Sequence, residues 1–162
     1  MNFLQRLVSV FKRTRAPQSP MPQRTLNLQY EILPENAAAF AEQFVDIIRN
    51  NERVGLNYTI GTLVFVDDFL ERFNKKGVPL DKFAETIFVA GCYVGQVMIF
   101  NNGGEWVKEA DANVTNVPLS PLVVRLSNGL IADPLTQTFK RFTKGKSESL
   151  MRFYHAFTQT PH

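Results

Sequence analysis

Among its 162 residues the chain has a single cysteine, Cys92, and two histidines, His155 and His162. One thiol excludes an internal disulfide. It stands in the apolar run Ile87-Phe88-Val89-Ala90-Gly91-Cys92-Tyr93-Val94, a setting that suits a small buried side chain rather than an activated nucleophile. The cysteine and the histidines are far apart in sequence and lack zinc-ligand spacing, so neither metal nor cofactor is expected. Imidazole catalysis needs the ring beside a nucleophile or a carboxylate. His162 ends the sequence, and His155 falls in a helical stretch between Tyr154 and Phe157, which fits a structural or solvent-facing role. A phosphate-cradling loop is missing as well, because Gly103-Gly104 lacks the further glycines and the lysine such loops use. No catalytic residue emerges, which leaves an enzyme with an unrecognised site as the lesser alternative to a non-enzymatic protein.

Long hydrophobic runs are also lacking. No stretch reads as the ~18 consecutive apolar residues of a membrane span. The N-terminus does not read as a secretory signal: Gln5 and Arg6 interrupt its apolar part, and Arg13 and Arg15 follow it. A cytoplasmic location is expected, on the inner face of a membrane if the N-terminus attaches there. The sequons Asn57-Tyr58-Thr59 and Asn113-Val114-Thr115 then carry no meaning.

The charge is present but segregated. Residues 1–30 hold five basic groups and no acid, giving +5; residues 31–133 hold eight basic and fourteen acidic groups, giving −6; residues 134–162 hold five basic groups against Glu148, giving +4. The basic excess therefore belongs to the two ends, while the middle is acidic. That distribution argues against a duplex-binding face and for a basic tail with its own partner. No nucleic acid is expected among the partners.

On a helical wheel Phe3, Leu4, Leu7, Val8, Val10 and Phe11 fall within an arc of roughly 160°. Gln5, Arg6, Ser9, Lys12 and Arg13 occupy the other side. Pro17, Pro20 and Pro22 follow and cannot continue a helix. The predicted organisation is an amphipathic basic helix over residues 1–14, a proline-rich linker over 15–24 and one domain over 25–162. The helix, acting through Phe3, Leu4, Arg6, Leu7, Phe11, Lys12 and Arg13, could pack on its own domain, dock into a partner groove or lie on an anionic membrane.

The alternation in Thr25-Leu26-Asn27-Leu28-Gln29-Tyr30 suggests a short strand. Pro34 opens a helix to about Asn50, and a second runs from about Ile60 to Asn74, with Gly77 beyond its end. Asp81 is the expected N-cap of a third helix reaching about Phe100, terminated by Asn101-Asn102-Gly103-Gly104. Ala90, Gly91 and Gly95 lower helix propensity there and imply close packing against a neighbour. Glu105-Trp106-Val107-Lys108 and Leu122-Val123-Val124-Arg125-Leu126 read as strands, and Asn128-Gly129 predicts a hairpin into Leu130-Ile131-Ala132. Asp133-Pro134 starts a helix ending near Gly145, and Ser147 is the expected cap of a last helix to about Phe157. Helices, then a small antiparallel sheet, then helices again define an α+β class.

Asp67 and Glu71 are four apart on a predicted helix. They could in principle hold a cation or act as acid and base, but a solvated face opposite Phe69, Leu70 and Phe73 is the expected role. In Phe139-Lys140-Arg141-Phe142-Thr143-Lys144-Gly145-Lys146 the two phenylalanines fit a buried stripe, leaving Lys140, Lys144 and Lys146 as a candidate interaction surface. Trp106 joins that candidate list, with core packing the preferred reading.

The stretch Ala90-Gly91-Cys92-Tyr93-Val94-Gly95-Gln96-Val97, followed by Gly103-Gly104-Glu105-Trp106, resembles a family of small uncharacterised bacterial domains. In that family a Gly-x-Tyr-x-Gly-Glu-like helix precedes a Gly-Gly-x-Trp strand. Its later signature is similar to Pro134, Lys140-Arg141, Gly145 and Ser149-Leu150-Met151-Arg152-Phe153-Tyr154, so the resemblance spans residues 55–157. Gln96 stands where the family pattern has Glu, which argues against a catalytic acid there. In size and style these domains resemble small immunity or accessory proteins, while the acidic middle, the absence of a site and the separable helix lead to the expectation of a protein that binds one protein partner. A membrane-associated protein held by residues 2–13 is the alternative.

Overall fold

The computed structural model describes residues 4, 5, 8, 28, 30–112 and 120–159. Helix α1 (Ala37–Glu52) follows a short 3-10 turn, Pro34–Asn36, and α2 (Thr62–Lys75) and α3 (Leu80–Asn102) come next. Strands β1 (Gly104–Lys108), β2 (Leu122–Leu126) and β3 (Ile131–Ala132) precede α4 (Pro134–Lys144) and α5 (Leu150–Thr158). The class is α+β, with one antiparallel sheet of order β1–β2–β3 among the described residues. Trp106 pairs with Val124 across β1 and β2, and Val124 pairs with Ala132 across β2 and β3.

Helix α3 is the axis of the molecule: α1 and α4 pack along it, and α2, α5, β1 and β2 also touch it. Ile87 to Gly95 are buried without a break, because α3 is covered on every side in that stretch. With 23 residues and a mean hydropathy of 1.6 over its most apolar part, α3 is long and apolar enough to cross a membrane. This corrects the expectation that no segment qualifies, because the mean hydropathy of a long helix tolerates interspersed polar residues that a count of consecutive apolar ones does not. Most of that apolar part is instead enclosed by the other helices and the sheet. The phenylalanines explain much of that core. Phe40 meets Phe88 edge-on at 5.0 Å, Phe44 meets Phe69 at 5.6 Å, and Phe83 lies 4.9 Å from Phe73 and 5.4 Å from Phe142.

Several local signals act one step away from their expected places. Pro79, in extended conformation, precedes α3 and leaves Asp81 inside the first turn rather than at the cap. Asn101 and Asn102 remain helical, and Gly103, at φ +79°, ends the helix. Ser149, not Ser147, caps α5 by accepting from the Arg152 N–H, because residues 146–148 form a 3-10 turn first. Asp133 caps α4 as expected, accepting from the Thr136 N–H at 3.0 Å. Most of the strand expected over residues 25–30 lies outside the described residues, and Leu28 and Tyr30 are not in a strand.

Candidate functional site

The motif helix is built for contact between elements. At Gly91 an added Cβ would lie 2.7 Å from Thr138 Oγ1 and 3.0 Å from the Leu135 Cα, so α4 crosses α3 there with no room for a side chain. At Gly95 it would lie 2.1 Å from Trp106 Cζ2, inside the indole. The Trp106 Nε1–H then donates to Gln96 Oε1 at 2.7 Å. Gly95 and Gln96 together form the seat of the half-buried tryptophan, one by absence of atoms and the other by an acceptor. Either Gln or Glu could supply that acceptor, so the position has a structural use that needs no acid chemistry.

Tyr93, between those glycines, is fully buried. The Thr62 hydroxyl donates to Thr59 O at 2.6 Å, so across the 2.7 Å contact between them the Tyr93 hydroxyl donates to Thr62 Oγ1. Its oxygen accepts the Tyr58 backbone N–H at 3.0 Å. Tyr58 has φ +66°, a left-handed conformation that is costly for a bulky residue. Its neighbours hold it there. Asn101 Nδ2 donates to Tyr58 O at 2.9 Å, the Tyr58 hydroxyl donates to Glu42 Oε1, and the ring stacks on Tyr93 at 4.9 Å. Burial, reinforced by the Glu42 hydrogen bond, pushes the Tyr58 hydroxyl far above the ordinary phenol range. Burial also raises Tyr93, although the hydrogen bond its oxygen accepts from the Tyr58 N–H acts in the opposite direction. Both hydroxyls are protonated at neutral pH and act as hydrogen-bonding groups.

This cluster reaches the surface at Phe100. The Phe100 ring is 71% exposed and lies 6.4 Å from the Tyr58 ring. Sequence reasoning missed Phe100, Tyr58, Asn101 and Glu42. A signal for Phe100 was present: it stands four residues after Gln96, the polar member of an apolar run, and so on the less buried face of α3. No local signal marked Tyr58, since Asn or Gly is the usual occupant of a left-handed position.

The other anticipated residues are distributed as follows. Phe3, Arg6, Leu7, Phe11, Lys12 and Arg13 lie outside the described residues. Leu4 and Val8 are helical, half-buried and packed against the core, so at least this part of the apolar stripe rests on the protein's own body. The proline-rich linker of residues 15–24 lies outside the described residues. Lys144 and Lys146 are exposed and Lys140 is half-buried, while Phe139 and Phe142 are fully buried as a stripe should be.

Asp67 and Glu71 do not form a solvated face. Arg141, 3% exposed, points inward and donates from Nε to Asp67 Oδ1 and from an Nη to Glu71 Oε1, both at 2.8 Å. Asp67 Oδ1 also accepts the Leu150 N–H at 2.9 Å, tying α5 to the same carboxylate. The Arg141 hydrogen bond holds the Glu71 carboxyl below its ordinary range against the opposing effect of burial. A carboxylate pair so occupied is not available for a cation, and no acidic, histidine and cysteine cluster suited to a metal exists among the described residues. The Cys92 thiol is fully buried, and burial raises it well above its usual range. Comparison with known proteins finds no matching family model, no matching curated protein and no matching solved structure.

Proposed function

We propose that the protein is a non-enzymatic interaction domain that binds one protein partner, with Phe100 and Tyr58 at the centre of the contact. The observation that carries this reading is a large exposed ring set beside a tyrosine whose strained backbone donates to Tyr93 and accepts from Asn101, and whose hydroxyl donates to Glu42. Strain maintained by several distant segments is characteristic of functional surfaces. A rigid aromatic surface loses little conformational entropy on binding, which is why aromatic anchors dominate interface energetics. The Gly-x-Tyr-x-Gly-Gln and Gly-Gly-x-Trp residues support the surface from beneath rather than forming it. The small uncharacterised bacterial domains that the sequence resembles are like immunity or accessory proteins in size, which fits the same kind of role.

Affinity capture from the host with wild-type protein and with Phe100→Ala tests the proposal. The expected result is a stoichiometric partner retained by the wild type and lost, with an affinity decrease of at least tenfold, by the variant. Equal recovery of that partner by both proteins would remove Phe100 from the contact. Failure of the wild type to retain any partner would remove the proposal.

A further inference from the structure

A second surface stands out at the opposite end of α3. Asn74 Nδ2 donates to Phe142 O at 2.7 Å, bringing the C-terminal ends of α2 and α4 together. Phe83, in the first turn of α3, packs against Phe73 and Phe142, so the start of α3 joins the same end. Five exposed lysines gather there: Lys75 at the end of α2 and Lys76 just beyond it, Lys82 from α3, Lys144 from α4 and Lys146 just beyond it. Lys76 Nζ lies 4.9 Å above the Phe73 ring, and Lys75 approaches Glu71 at 3.7 Å. Of the nearby carboxylates, Asp67 and Glu71 are engaged by buried Arg141 and Glu52 by Arg72, while Asp81 stands beside Lys82 and Glu148 accepts from Gln137. The end is strongly cationic on a body whose residues 31–133 are net acidic.

We propose that this lysine-rich end is a docking face for an anionic membrane surface. Three features favour a bilayer over other anionic partners. Its cations are lysines, compact hydrated charges that suit a diffuse charged surface, whereas protein interfaces are depleted in lysine and enriched in arginine and aromatics. The phenylalanines at this end pack on one another, Phe83 and Phe142 buried and Phe73 half-buried beneath Lys76, so no open ring is offered for stacking bases. The chain also carries a second cationic element suited to the same target, since residues 1–30 hold five basic groups and no acid. The lysines come from segments near residues 75, 82 and 145, so only the fold makes them a patch.

The test is co-sedimentation of the full chain with phosphatidylcholine vesicles, with and without phosphatidylserine. Wild type is compared with the quadruple variant Lys75→Gln, Lys76→Gln, Lys144→Gln, Lys146→Gln and, separately, with Leu7→Asp. Binding only to the phosphatidylserine vesicles, weakened by salt, is the expected wild-type result. Each neutralised lysine should cost about fivefold, the factor given by ~1 kcal/mol per cation, so the quadruple variant should lose more than a hundredfold. Circular dichroism and melting should be unchanged, because these side chains are exposed. Wild-type binding that the quadruple variant retains would overturn the proposal, and its loss in Leu7→Asp alone would assign attachment to the N-terminal segment. No vesicle binding at all, or lysine-dependent binding to duplex DNA in preference to vesicles, would overturn it equally.

Discussion

The Tyr58 and Arg141 clusters solve a similar problem in opposite ways. Each joins polar groups from distant segments, yet one is mostly uncharged and the other is built on ion pairs. Around Arg141 the backbone is unstrained, the guanidinium is nearly enclosed and its two carboxylates are held at hydrogen-bonding distance. Around Tyr58 the bonds are between uncharged groups apart from the carboxylate of Glu42, the backbone is left-handed, and the cluster ends in the exposed ring of Phe100. A closed ionic cluster is accounted for by architecture alone. An aromatic cluster that spends backbone strain to reach solvent is not, and that difference places the proposed contact at Phe100.

The comparison can be broken most severely at Arg141. Replacing it by Leu leaves Asp67 and Glu71 without their cation, and denaturant unfolding should show a loss of about 3–5 kcal/mol. Acid should act through the same cluster in the wild type. Because the Glu71 carboxyl is lowered in the folded protein, its contribution is complete above the ordinary glutamate range and disappears as the pH falls through its lowered folded value. Arg141→Leu should flatten that part of the stability profile; an unchanged acid limb would contradict the assignment.

Gly95→Ala should come next, at about 1–3 kcal/mol, because the new methyl group overlaps the Trp106 indole. The cost should shrink when Trp106 is replaced by Leu, and a double-mutant cycle would show whether the two sites are coupled as the geometry requires.

Tyr58→Phe removes one hydrogen bond to Glu42 and should cost about 1 kcal/mol at neutral pH. The raised Tyr58 hydroxyl predicts a second effect. The folded protein keeps this proton while the unfolded chain releases it near its ordinary value of 10.0, so stability from this group is intact below that pH and falls as the pH rises further. The wild type should therefore lose stability above about pH 10 more steeply than Tyr58→Phe. Parallel alkaline profiles for the two proteins would count against a protected hydroxyl.

The smallest effect on folding is expected at Phe100. Its replacement by Ala should change stability by less than about 0.5 kcal/mol, as for other exposed side chains, while binding to the captured partner weakens. A large loss of stability would instead make Phe100 part of the core and weaken the contrast between the two clusters.

The two clusters also differ in how far they could be read from residues alone. Pro34 at the head of the first helical segment, Asp133-Pro134 at the start of α4 and Asn128-Gly129 in the hairpin act through bonds to residues a few positions away, so their effects were legible. The packing role of Gly91 and Gly95 was legible too, although the partners Leu135, Thr138 and Trp106 were not. Ser149, the cap in place of Ser147, sits next to a contact that no local signal gives, the Leu150 N–H on Asp67, a residue 83 positions earlier.

By itself the sequence determined the α+β order of elements, the buried Phe139 and Phe142 stripe, the enclosed thiol and the acidic middle between basic ends. Only the tertiary structure turned Arg141 inward, because its two carboxylates lie 74 and 70 residues away. It likewise set Tyr58 in a left-handed conformation, through Tyr93 and Asn101, and gathered lysines from three helices at one end. The physical reason is range. Caps, turns and hydrophobic periodicity act within a few residues, whereas the direction of a charged side chain is decided by whichever partners the packed core brings to it.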